Sequence, residues 1–185
     1  MKFSLLISGA GGQGVMSIGI MLAETAVRNG QHATFMPLYG PEQRGGSAKC
    51  TVIISDEEIV SPLPKQTDGL IAMNDSSFRK FNKELKSGGL LVRNTNLVVT
   101  DNKRDDVQLL DVKADDEAHA MDADKASNII LVGAMLGFSG MMDPDVFMKS
   151  LENKFAKKGE AVVEMNRKAL YRGYELGLAA KEANK

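Results

Sequence analysis

Phe3-Ser4-Leu5-Leu6-Ile7-Ser8 runs without interruption into Gly9-Ala10-Gly11-Gly12-Gln13-Gly14. After this turn, Val15 to Asn29 has helical character and Gly30 closes it. Val15, Ile18, Leu22 and Ala26 recur at helical spacing and form one apolar stripe. A short apolar strand, a glycine turn and a helix make the opening of a dinucleotide-fold unit. Gly9, Gly11 and Gly14 satisfy its G-x-G-x-x-G spacing. The glycines permit a tight turn, close backbone approach to a ligand and close contact of helix on strand. Two readings of the turn stand side by side. Its backbone N–H groups and the positive end of the helix can hold a phosphate, or the glycines only permit a tight crossover.

The remaining elements extend this pattern. His32 to Leu38 and Ser47 to Ser55 read as strands, as do Gly69 to Met73, Leu90 to Val92 and Val107 to Val112. A helix capped by Asn74 or Asp75 is expected through about Lys86, ended by Gly88-Gly89. From Ala114 the pattern is helical. Ala126 to Phe138 is apolar nearly all round, Asp143-Pro144-Asp145 is a helix start, and Glu160 to about Lys181 forms the last helix. In that last helix Val162, Met165, Ala169, Gly173, Leu176 and Ala180 are expected on one face. Gly133/Gly137 and Gly173/Gly177, each four apart, would let helices pack closely. Strands alternating with helices predict one three-layer, Rossmann-like α/β domain over residues 1–185 with a mainly parallel sheet.

Composition narrows the chemistry. The chain has 185 residues, 43% hydrophobic and 25% charged, in the range of a soluble globular domain. Its 23 basic and 24 acidic residues leave a net charge of −1, which gives no electrostatic case for nucleic acid. The longest strongly apolar stretch, Ile129 to Phe138, is too short for a bilayer, and a cytoplasmic protein is the simplest reading. The one cysteine, Cys50, cannot make an internal disulfide or supply the thiolates of an iron–sulfur cluster, and it reads as a small buried hydrophobe. His32 and His119 are far apart in sequence, Asp115-Asp116-Glu117 reads as a solvated helix start, and no nucleophile–base pair emerges.

Tyr39-Gly40-Pro41-Glu42-Gln43-Arg44-Gly45-Gly46 is a loop, broken by glycine and proline. An arginine before two glycines places a guanidinium beside accessible backbone donors, which suits a phosphate or carboxylate. Irregular loops on rigid α/β scaffolds often carry the site; the bland alternative is an exposed turn. A dinucleotide site would also need an acid about 20 residues beyond the turn, and His32-Ala33-Thr34-Phe35-Met36-Pro37 holds none. That absence disfavours a self-sufficient nucleotide-dependent oxidoreductase.

Gly9-Ala10-Gly11-Gly12-Gln13-Gly14 together with Tyr39-Gly40-Pro41-Glu42-Gln43-Arg44-Gly45-Gly46 resembles the gamma subunit of the 2-oxoacid:ferredoxin oxidoreductases, over the whole chain. Asn128, heading the apolar helix, also matches the family pattern. Pro41-Glu42 and Ser47-Ala48 look more like the 2-oxoglutarate branch than the pyruvate branch; indolepyruvate enzymes share the G-G-Q-G turn and an R-G-G loop. The resemblance implies a subunit that is not catalytic alone. Its partners would be alpha, beta and ferredoxin-like subunits, which carry thiamine diphosphate and iron–sulfur clusters and pass electrons to ferredoxin. The assembly would use coenzyme A to convert a 2-oxoacid into an acyl-CoA. On this reading Gly9, Gly11, Gly12, Gln13, Gly14, Tyr39, Glu42, Arg44, Gly45 and Gly46 face ligand or partner. No metal, nucleic-acid or membrane role is expected of the chain.

Overall fold

A computed structural model describes residues 1–39 and 46–184. The chain runs β1 (Lys2–Ala10), α1 (Val15–Arg28), β2 (His32–Tyr39), β3 (Ser47–Ser55), β4 (Thr67–Ala72), α2 (Asp75–Phe81), β5 (Leu85–Asn94), β6 (Gln108–Val112), α3 (Ala114–Ala120), α4 (Ser127–Ser139), α5 (Pro144–Phe155) and α6 (Glu160–Ala183). The six strands lie in the order β2-β3-β1-β4-β5-β6. β1, β4, β5 and β6 pair in parallel, while β3 pairs antiparallel with both β1 and β2. Among the described strands only β3 is reversed, so the expected mainly parallel sheet is present.

Strand alternation builds the layers. Leu5, Ile7, Ile71 and Val92 join Ile18, Leu131 and Phe147 of the helices α1, α4 and α5 in the main core. Leu6, Leu70 and Leu91, on the opposite face, meet Phe78 and Phe81 of α2. The chain leaves β1 toward β2 and leaves β4 toward β5, in opposite directions along the sheet. Right-handed crossovers then put α1 and α2 on opposite faces, as observed.

Local chemistry sets the helix ends. Gly30, at φ +80°, follows α1, where Gln31 N donates to Ala26 O (3.0 Å) and Gly30 N to Val27 O (3.1 Å). This double closure needs a left-handed residue that glycine adopts without strain. Asp143 caps α5 through Asp145 N (2.8 Å), with Pro144 at the first helical position.

Three expectations are corrected. The helix after Asn74 stops at Phe81, passes through one 3-10 turn at Asn82–Glu84, and gives way to β5 at Leu85. Gly88 and Gly89 therefore lie inside a strand. The pairing jumps from Thr67↔Leu85 to Gly69↔Leu90, and the extra residues bulge at Gly88, whose φ is +73°. Second, Asp115-Asp116-Glu117 is not merely solvated. Glu117 accepts from Arg172 of α6 (2.7 and 3.1 Å), and Asp115 accepts from Asn94 Nδ2 (3.0 Å).

Third, α6 buries the expected Ala169 and Gly173 together with Asn166, Leu170 and Gly177, and the expected Met165, Leu176 and Ala180 pack only at the edge of that face. Beside Leu170, small residues set the contact. A Cβ added at Gly133 would strike Leu170 O, one at Gly137 Tyr174 O, one at Gly173 Ile130 O, and one at Gly177 Ala134 O. Helices α4 and α6 thus touch backbone to backbone, as the paired glycines predict. No helix among the described residues is long and apolar enough to cross a membrane.

Gly173→Val is expected to force these helices apart at a cost of about 3 kcal/mol. That corresponds to a drop of roughly 6–12 °C in thermal midpoint for a chain of this size. A midpoint within about 2 °C of the parent, on the same scale, would contradict the backbone contact.

Candidate functional site

Strands β1, β4 and β5 end together, and the chain turns there toward opposite edges of the sheet. A crevice at such a reversal point is where open α/β sheets bind ligands. Its floor is the glycine turn. Gln13 N donates to Ala10 O (3.2 Å), and Gly12 and Gly14 take φ of +91° and +82°. The Gln13 side chain folds back beneath the turn, where Oε1 accepts from Ala10 N (2.6 Å) and from Asn74 Nδ2 (3.3 Å). Gly9 makes room for this fold: a Cβ there would sit 2.7 Å from Gln13 Oε1. Gly11 and Gly12, by contrast, have nothing near a would-be Cβ and lie exposed.

Two asparagines lock the turn to its surroundings. Asn74 follows β4 and caps α2 by accepting from Ser77 N (2.9 Å) while its amide reaches Gln13. Asn128 Nδ2, at the head of α4, donates to Gln13 O (3.1 Å) and occupies the space a Gly14 side chain would need. Asn94, at the end of β5, is consumed internally; its Oδ1 accepts from Ala114 N (3.2 Å) and Asn96 N (3.3 Å).

The resulting cleft measures about 350 Å³ and is bordered by Gly12, Gln13, Met73, Lys125, Ser127 and Asn128, among others. Hydrogen-bond donors dominate its chemistry. Gln13 borders the cleft and its Oε1 is spent inside, so of its side-chain amide the donor group alone is uncommitted among the described residues. Lys125 adds a cation, and α1 starts without a side-chain cap or an acid in its first turn. The cleft's carboxylate, Asp124, lies 3.0 Å from His119 Nδ1. An acceptor-rich, anionic ligand fits this set.

Sheet register brings the second predicted loop to the same place. Ala10 pairs with Ser47, and Ala48 lies between Gly9 on one side and Tyr39 on the other. Both ends of the Tyr39–Gly46 loop therefore stand beside the glycine turn. Its return strand is anchored: Lys80 Nζ donates to Ser47 Oγ (3.1 Å), and Lys49 pairs with Glu84 (2.8 Å) over the Phe81 ring. Gly46 is half-buried, whereas Glu42, Arg44 and Gly45 fall outside the described residues.

Other chemistries find little support. β2 is separated from β1 by β3, roughly 10 Å away, so its end is poorly placed to hold a ribose bound at the β1 turn. Cys50 is fully buried, its Sγ 3.5 Å from Val15 O, and burial pushes its thiol up to about 12. It is therefore protonated and shielded, neither nucleophile nor ligand. Among the described residues no group of three or more His, Cys, Asp or Glu is placed to hold a metal ion. Asn74 was legible in sequence only as a helix cap and Met73 only as a strand end, and Lys125 carried no signal at all.

The family described as "Pyruvate ferredoxin/flavodoxin oxidoreductase" matches residues 4–176. The chain is 35% identical over 171 residues to the ketoisovalerate oxidoreductase subunit VorA of Methanothermobacter thermautotrophicus, covering 91% of this chain and 35% of that protein. It thus spans about a third of the length of that relative. It is 30% identical to the 2-oxoglutarate synthase subunit KorC of Methanocaldococcus jannaschii, covering 95% of this chain and 94% of that one. The crystal structure of the keto/oxoacid ferredoxin oxidoreductase gamma subunit from Geobacter sulfurreducens superimposes with a TM-score of 0.84 at 32% identity, covering 97% of this chain and 98% of that one.

Two measurements check this geometry. Gln13→Ala leaves the Ala10 amide without its acceptor and is expected to speed its hydrogen exchange about tenfold or more; unchanged protection would remove Gln13 from the turn's support. Cys50 is expected to resist alkylation at pH 8 in the folded chain and to react once denatured, and rapid labelling of the folded chain would refute its burial.

Proposed function

Since this chain belongs to the pyruvate ferredoxin/flavodoxin oxidoreductase family, we propose that it serves as the gamma subunit of a 2-oxoacid:ferredoxin oxidoreductase and is not catalytic alone. The observation that carries this reading is the convergence of the glycine turn and the root of the Tyr39–Gly46 loop at one end of the sheet. That end is rich in donors and lacks any nucleophile–base pair among the described residues. It is a binding surface without a reaction centre.

The residues there fit the phosphates of coenzyme A. The Gly12 amide, the Gln13 side-chain amide and Lys125 would offer donors from the cleft, and Tyr39 and Arg44 would approach from the loop. When bound, coenzyme A supplies the thiol that accepts the acyl group. The chain's own residues would hold and orient it, with Gly45 and Gly46 as small loop residues and Glu42 proposed as a contact to a partner. Thiamine diphosphate and the iron–sulfur clusters are assigned to the alpha, beta and ferredoxin-like partners. Cys50, buried and protonated, does not fit a cluster.

In the assembly a 2-oxoacid, coenzyme A and oxidised ferredoxin would become an acyl-CoA, carbon dioxide and reduced ferredoxin. The 2-oxoacid is proposed to be 2-oxoglutarate, giving succinyl-CoA, on the Pro41-Glu42 and Ser47-Ala48 pattern and the full-length similarity to KorC. A branched-chain 2-oxoacid is the second reading, favoured by the higher identity to VorA.

The test is anaerobic purification of the complex through this chain, followed by assay with a panel of 2-oxoacids. Arg44→Ala is expected to leave the complex assembled and to raise KM for coenzyme A at least about tenfold, as loss of a charge-assisted hydrogen bond would. Unchanged assembly together with unchanged KM would overturn the loop's role. Recovery of the chain without partners would overturn the subunit reading.

A further inference from the structure

A second opening adjoins the glycine-turn cleft and differs from it in character. It measures about 390 Å³ and lies between α1, the head of α4, the end of α5 and the first turns of α6. Its walls are apolar: Ile18, Met21, Ile129, Phe155, Val162 and Met165. Its rim carries three exposed cations, Lys125, Lys154 and Lys158, and no carboxylate lines it. Lys158 lies over the Phe155 ring, 5.5 Å from its centre, so one cation stands directly against the apolar wall.

A buried polar side chain completes the groove. Asn166 is 4% exposed, and its Nδ2 donates to Val162 O within its own helix (2.8 Å). Its Oδ1 has no partner among the described residues, yet Asn166 lines the opening. Unlike the oxygens of Thr34, Ser77 and Asn82, it is not sealed away from solvent, so it offers an accessible acceptor to the groove. The larger cavity at the other end of the sheet, about 520 Å³, is lined by Lys2, Lys86 and Lys181 but also holds the Asp68 carboxylate, which pairs with Lys86.

We propose that this groove binds a small amphiphilic anion, an apolar chain bearing a hydrogen-bond donor and ending in a carboxylate or phosphate. The chain would replace water against Met21, Ile129 and Met165, the donor would meet Asn166 Oδ1, and the anionic end would reach the lysine rim. The volume falls within the range of small-molecule pockets. Charge complementarity selects an anion over a neutral amphiphile, because three cations surround an opening with no compensating acid. The groove meets the neighbouring cleft at Lys125 and Asn128, so its occupant sits beside the turn without needing coenzyme A there.

The test is calorimetric titration of the full chain with N-decanoylglycine at low salt, with its methyl ester as the neutral probe. Saturable one-site binding of the acid is expected, with the ester at least about tenfold weaker. A Lys154→Glu/Lys158→Glu variant, altered only at exposed positions, is expected to lose at least about tenfold in affinity for the acid. Val162→Asp places a carboxylate inside the groove near a helix start and is expected to abolish binding without lowering the thermal midpoint. Absence of saturable binding, equal affinity for acid and ester, or unchanged affinity in both variants would overturn the proposal. Coenzyme A titrated into the same samples reports on the glycine-turn cleft, so failure there is distinguishable from failure of the groove.

Discussion

The backbone contact between α4 and α6 is the constraint on which the rest of the structure depends. With Gly133 and Gly137 facing Gly173 and Gly177, the helices approach until a Cβ at any of the four would meet a carbonyl oxygen. Such an approach brings many atoms into dispersion contact and aligns glycine Cα–H groups with facing carbonyls. α4, buried from Ile129 to Phe138, is thereby held against the sheet on one side and α6 on the other. The head of α4 carries Asn128, which reaches Gln13 O in the glycine turn. A helix contact far from the cleft thus fixes one of its walls. The first turns of α6, which define the lysine-rimmed groove, are fixed by the same contact.

Reversal of β3 has the next largest consequence. In a purely parallel arrangement the segment after β2 would cross to the opposite end of the sheet before the next strand began. Here β3 returns directly beside β1, so the loop at Tyr39–Gly46 begins and ends at the carboxyl end of the parallel strands. Two segments separated by some 25 residues become neighbours through pairing alone: Gly9 and Tyr39 flank Ala48. The reversed strand also removes β2 from the position where a dinucleotide's ribose would seek an acid. One topological choice assembles the candidate site and disfavours the alternative.

Most of the fold was legible because its signals are local. The Phe3–Ser8 run, the glycine spacing, the Asn29-Gly30 stop and the Asp143-Pro144 start each act within a few residues, and each appears where expected. What sequence could not reveal was non-local. Gly88-Gly89 read as a helix stop, although the decisive fact was a bulge against β4. The face of α6 was placed only in part because periodicity weighs large apolar residues, whereas beside Leu170 the contact runs through small ones. Residues 95–107 show no periodic pattern. They are pinned by Arg93 to Thr100 O (2.9 Å) and Asp111, and by Asp75 to the Thr100 amide (2.7 Å), pairings that join distant segments. In the candidate site, the glycines and the Arg44 loop were visible as motifs. The inward fold of Gln13 was not, since nothing in its neighbours distinguishes a side chain turned under the backbone from one turned out.

That inward fold explains how a turn with few side chains can be both rigid and receptive. Gly12 and Gly14 adopt conformations that other residues rarely reach, and a loop of glycines alone would pay for that freedom with disorder. Gln13 supplies the missing rigidity: its carbonyl end satisfies Ala10 N and Asn74, while its backbone oxygen receives Asn128. Strands β1 and β4 and helix α4 are tied through one residue. Those bonds use the oxygen atoms of Gln13, and Gly12, exposed, borders the cleft beside it. Acceptors are spent on the scaffold and donors are kept for the ligand. The proposed preference for an anionic ligand therefore rests on how the turn is held together, before any charge from Lys125 is counted.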